Sequence, residues 1–111
     1  VKVLLDEDLP YKLRTAIPNH DVSTVAYLGW KGLKNGELLR AAEASGFEVF
    51  VTADKKLPKQ QNLEAKAFAT VVLSTLDWEI MKPHLGLIVA AVDRATSGSY
   101  EFVNCGEFRR G

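Results

Sequence analysis

The 111 residues are 47% hydrophobic and 25% charged, a balance that excludes a disordered chain and suits one folded domain spanning 1-111. Fourteen Lys and Arg against fourteen Asp and Glu leave a formal net charge of zero, which excludes a global pull onto nucleic acid and leaves only local patches. The longest apolar run, 85–92, falls far short of the roughly 20 residues of a membrane span. No signal-peptide pattern opens the chain, and a lone Cys105 excludes an internal disulfide and makes a poor zinc site. A cytoplasmic protein with no membrane association is therefore expected.

In chain order, 1–5 is a short apolar run suited to a buried strand, and it ends abruptly in three acids, Asp6, Glu7 and Asp8. The spacing of Leu9, Leu13, Ala16 and Ile17 predicts a helix over 9–17, with Pro10 in its first turn and Pro18 stopping it. Val22 and Val25 around Ser23 and Thr24 predict a second strand, followed by the irregular loop "GWKGLKNG". A second helix then places Leu38, Leu39, Ala41 and Ala42 on one side, with Asn35 as N-cap and Gly46 as its stop. "FEVFVTAD" reads as a third strand that again runs into an acid, Asp54. The polar stretch "KKLPKQQNLEAKAFA" holds one short helical segment before a fourth strand, "TVVLS". A long helix is predicted from near Lys82, with Pro83 marking its start, and a last strand over 100–103.

Strands alternating with helices predict an α/β fold: a three-layer α/β/α sandwich on a mainly parallel sheet, since right-handed crossovers put helices on both faces. Ligands of such folds bind at the carboxyl ends of the strands, where strand order reverses. Two strand-end acids, Asp6 and Asp54, are expected to meet there, with Glu37 entering from the first turn of the second helix. Clustered carboxylates repel one another and call for protons or a cation. Oxygen ligands select Mg²⁺ or Mn²⁺, an ion suited to phosphodiester hydrolysis. Each acid also has a structural alternative: Asp8 has the position of a helix cap, and Glu37 is favoured by the helix dipole alone. Lys34, Lys55 and Lys56 lie near the acids in sequence and suit a phosphate backbone, while Trp30 suits either base stacking or a lid on the core.

The segments "VKVLLDEDLP", "HDVSTVAYLGWKGLKNGELL" and "FEVFVTADKKLPKQQNL" resemble the small PIN-like proteins, a family of unknown function described as predicted nucleases of toxin-antitoxin systems. The resemblance covers residues 1 to about 73; beyond, only the pattern of a long helix and a final strand is similar. It implies a PIN-like sandwich with an acidic pocket for Mg²⁺ or Mn²⁺, acting on single-stranded RNA and countered by an antitoxin protein. By position it implies Asp6, Glu37 and Asp54 as the catalytic, metal-holding acids, and Thr52 as the hydroxyl that supports them. Two departures stand out: Lys55 and Lys56 occupy the place where such nucleases carry a fourth acid, which leaves Asp8 to supply that charge. The chain also has little of the helical extension through which such toxins form homodimers. A non-catalytic PIN-like binding module is the alternative expectation.

Overall fold

The computed structural model describes residues 1–106; 107–111, the end of the expected 1–111 domain, lie outside the described residues. Five strands form one sheet: β1 (Lys2–Leu5), β2 (Asp21–Thr24), β3 (Val49–Thr52), β4 (Ala69–Leu73) and β5 (Tyr100–Val103). Their order is β2-β1-β3-β4-β5, and every neighbouring pair is parallel. A parallel sheet covered on both faces demands continuous apolar strands. Of the three inner strands, β3 and β4 meet that demand with every residue buried, and β1 with all but Lys2.

Alternation along the strands builds two cores. Val3, Leu5, Val49, Val51, Ala69, Val71 and Leu73 face one side and pack with Leu13, Met81, Ile88 and Val92. Leu4 and Phe50 face the other and pack with Leu38, Leu39, Ala42, Leu57 and Phe68, Phe50 meeting Phe68 edge to face at 6.2 Å. Helices α1 (Asn35–Ala44) and α2 (Leu57–Gln60) therefore cover one face, and α3 (Trp78–Met81) and α4 (Leu85–Asp93) the other. This is the expected α/β sandwich, with the sheet entirely parallel.

One feature of the topology departs from the simple right-handed picture. The steps from β2 to β3 and from β3 to β4 both run across the same face in the same direction, whereas the step from β4 to β5 continues in that direction on the opposite face. Two such steps are of opposite hand. The first three connections share one hand, and with the usual right-handed sense assigned to them the last is left-handed.

Local chemistry accounts for the differences from the predicted elements. Between Pro10 and Pro18 the chain does not form the expected α-helix. It forms a 3₁₀ helix, Tyr11–Thr15, bracketed by i→i+3 bonds from Leu13 N–H to the Pro10 carbonyl and from Ala16 N–H to that of Leu13, each 3.0 Å. The helix predicted from Lys82 begins earlier, at Trp78, because the Asp77 carboxylate caps it through Glu79 N–H at 2.9 Å. Pro83 then interrupts it as a 3₁₀ turn, Lys82–His84, before α4. Helix α1 ends as expected at Gly46, where φ is +77° and Phe47 N–H reaches back to the Ala42 carbonyl at 3.1 Å. Its start differs: Lys34 occupies the N-cap without a side-chain capping bond, and Asn35 is the first helical residue. Among the described residues no helix is long and apolar enough to cross a membrane.

Candidate acidic site at the strand ends

β1 lies between β2 and β3, so the chain leaves β1 in one direction and returns to the sheet on its other side. The crevice beyond the carboxyl ends of β1 and β3 is thus the switch point where such sheets bind ligands. A cavity of about 320 Å³ opens there, and Asp6, Glu7, Asp8, Asn35, Thr52 and Asp54 line its polar side. Leu9, Leu33, Leu38 and Leu76 form its apolar wall, and Leu76 remains 48% exposed.

The two strand-end acids are tied together by Thr52, which is fully buried. Its hydroxyl donates to Asp6 Oδ2 at 2.7 Å and accepts Asp54 N–H at 3.1 Å. Asp6 itself is placed by its N–H, which donates to the Val51 carbonyl at 2.9 Å and extends the β1–β3 pairing by one residue. Its Oδ1 accepts Glu7 N–H at 2.8 Å. Asp54 Oδ1 accepts Lys56 N–H at 3.0 Å, an Asx turn that leads into α2. Burial pushes the Asp6 carboxyl above its ordinary range; the bonds from Thr52 and Glu7 pull it down, and the charges of Asp8 and Glu7 push it up again. The charged form of Asp6 is therefore under-compensated in a cavity that holds other carboxylates, which is the electrostatic condition a bound cation relieves.

The expected site residues divide into three groups. Asp6, Asp54, Thr52 and Asp8 meet in the cavity. Glu37 does not line it: the residue is exposed in the first turn of α1. The residue of that turn that does line it is Asn35, whose Nδ2 donates to Asp54 Oδ2 at 3.4 Å. Helical spacing explains the difference, because Asn35 shares a face with Leu38 and Ala42, at i+3 and i+7, while Glu37 shares one with exposed Arg40. Lys34, Lys55 and Lys56 are exposed and stand within two residues of lining residues without lining the cavity themselves. Trp30, expected either to stack on a base or to lid the core, does the second. Its ring packs edge-on against Phe47 at 6.1 Å, on the α1 side of the sheet. Phe47 precedes β3, so the contact lies toward the amino ends of the strands, away from the acids.

The donors in the cavity are hard oxygens: two carboxylates held by adjacent strands, the Asn35 amide oxygen, and Asp8 at the wall. Such a set fits a single hydrated Mg²⁺ or Mn²⁺, which binds through one or two carboxylates and keeps several waters. Among the described residues no group of three or more His, Cys, Asp or Glu is placed to hold a metal, and the set falls short of a two-ion clamp. Asn35 and Leu76 were not legible as site residues; the signal for Asn35 was its place three residues before the apolar Leu38 on a helix entering from the switch point. No family model, no curated protein and no solved structure matches the chain.

Proposed function

We propose that the chain is a Mg²⁺- or Mn²⁺-dependent nuclease that hydrolyses phosphodiester bonds of single-stranded RNA in the cavity at the β1–β3 switch point. The observation that carries this reading is the pairing of Asp6 and Asp54 through one buried threonine, with the charge of Asp6 under-compensated. Asp6 and Asp54 would hold the ion, with Asp8 supplying further negative charge at the wall. Bound there, a divalent ion supplies a Lewis acid for the phosphoryl oxygens and charge stabilisation in phosphoryl transfer. Thr52 ties the Asp6 carboxylate to the Asp54 backbone, so Asp6 need not reorganise when substrate arrives. Exposed Lys34, Lys55 and Lys56 would neutralise backbone phosphates on either side of the cavity. The apolar wall of Leu33 and Leu76 suits the sugar and base of an unpaired nucleotide better than it suits water. The sequence resemblance supports reading the chain further as the toxin of a toxin-antitoxin pair, with an antitoxin protein as its partner.

A second reading is favoured by one observation, the placement of Glu37 outside the cavity: a PIN-like binding module that has lost metal-dependent activity. Incubating a labelled single-stranded RNA with the protein in Mn²⁺, in EDTA, and with the Asp54→Asn variant separates the two, with mononucleotides run beside it. The nuclease reading expects cleavage in Mn²⁺ that EDTA and Asp54→Asn both abolish. Full cleavage by Asp54→Asn overturns it, and hydrolysis of mononucleotides alone replaces it with a phosphatase.

A further inference from the structure

The two strand-end acids of the cavity, Asp6 and Asp54, are held in the same way. Asp6 receives one backbone N–H, from Glu7 at 2.8 Å on Oδ1, and one side-chain donor from a neighbouring element, Thr52 at 2.7 Å on Oδ2. Asp54 receives one backbone N–H, from Lys56 at 3.0 Å on Oδ1, and one side-chain donor from a neighbouring element, Asn35 at 3.4 Å on Oδ2. In each carboxylate both oxygens carry one protein donor, and each oxygen keeps a second lone pair for another partner. A carboxylate fixed at both oxygens cannot swing about its last bond, and that orientation decides whether its free lone pairs converge with those of its neighbour.

We infer that Asn35 is a positioning residue of the acidic site: its side-chain amide orients the Asp54 carboxylate as Thr52 orients Asp6, and it is the contribution of α1 to this cavity. The inference rests on the metal-dependent reading of the site for its functional consequence, but the contact itself exists in the metal-free protein. Three features support it. Asn35 is part-buried and lines the cavity with both acids. It begins α1 but caps nothing, since the N-cap is Lys34 and no side chain caps this helix; the amide side chain is thereby free to reach Asp54. The helix is anchored behind it, because Leu38, Leu39 and Ala42 are buried in the core under the sheet. Asn35 is thus delivered to Asp54 by a rigid element, as a positioning group requires.

The test uses Asn35→Ala, which keeps a good helix former in the first turn and so preserves the fold. Two readouts are followed. In metal-free protein, amide hydrogen exchange at Lys56 reports the Asp54 turn: the inference expects faster exchange at Lys56 in Asn35→Ala, with the core amides of β3 and β4 unchanged. Unchanged exchange at Lys56 overturns it. In the second readout, Mn²⁺ binding followed by calorimetry should weaken by about tenfold, the order seen when an outer-shell partner of a metal ligand is removed. Wild-type affinity in Asn35→Ala overturns the positioning role, whatever the exchange shows. If wild type takes up no Mn²⁺ while Lys56 exchange responds to Asn35→Ala, the metal-dependent reading fails and the contact between Asn35 and Asp54 stands.

Discussion

At the scale of single residues, the site is an acid made uncomfortable on purpose by its surroundings. Asp6 titrates above its ordinary value of 3.8 because burial, the largest effect, together with the charges of Asp8 and Glu7, outweighs the bonds from Thr52 and Glu7 N–H. A carboxyl whose folded pKa exceeds its unfolded pKa binds more protons when folded. Stability therefore falls as pH rises from the ordinary Asp range through the raised pKa, and the penalty is fully present above it. Asp6→Asn removes that penalty, and a rotated Thr52 hydroxyl can accept from the new amide. In EDTA the variant should melt above wild type at neutral pH, with the gain shrinking as pH falls toward the ordinary carboxylate range, as thermal melts at several pH values would show. Thr52→Val keeps the shape and removes the hydroxyl that serves both acids. With the Asp54 N–H left without its acceptor, it should cost about 1–3 kcal/mol in urea unfolding and loosen the Asp6 carboxylate. Glu37→Gln, by contrast, should weaken Mn²⁺ binding far less than Asp54→Asn, a comparison calorimetry makes directly.

At the scale of elements, the strands were legible and the side-chain directions of one helix were not. β3 and β4 announce themselves as continuous apolar runs because both faces of the sheet are covered, and the acids following β1 and β3 are read straight off the strand ends. Asp6 and Asp54 were identifiable for that reason, whereas Thr52 came only from the sequence resemblance. Glu37 and Asn35 differ by two positions, about 200° around a helix, and which of them enters the cavity depends on how α1 rolls onto the sheet. That roll is decided by Leu38, Leu39 and Ala42 packing against Phe47 and Phe50, a tertiary outcome that charge and motif alone do not contain. The 3₁₀ helix between Pro10 and Pro18 was hidden by the helical spacing of Leu9, Leu13, Ala16 and Ile17, since over so few residues spacing does not distinguish an α-helix from a 3₁₀ helix. Trp30 was ambiguous in sequence because an aromatic ring in a glycine-containing loop serves equally as platform or lid; its contact with Phe47 shows the lid. Trp30→Ala should accordingly lower the melting temperature by several degrees, and RNA affinity per folded molecule should not change.

At the scale of the whole molecule, a sheet ordered β2-β1-β3-β4-β5 collects its acids at one crevice without any net charge on the protein. Attraction for a polyanion must then come from few contacts. With Lys34, Lys55 and Lys56 as the phosphate partners, the logarithm of single-stranded RNA affinity should fall with the logarithm of salt concentration at a slope of about −2. A much steeper slope would mean a larger basic surface than these three lysines. The central claim, a divalent cation held by Asp6 and Asp54, is tested most directly by the melting temperature of wild type and Asp54→Asn as Mn²⁺ is added to metal-free protein. A ligand that binds the folded state alone raises the midpoint progressively with its concentration. The account predicts that rise in wild type and its loss in Asp54→Asn; no rise at millimolar Mn²⁺, or an equal rise in both proteins, would contradict it.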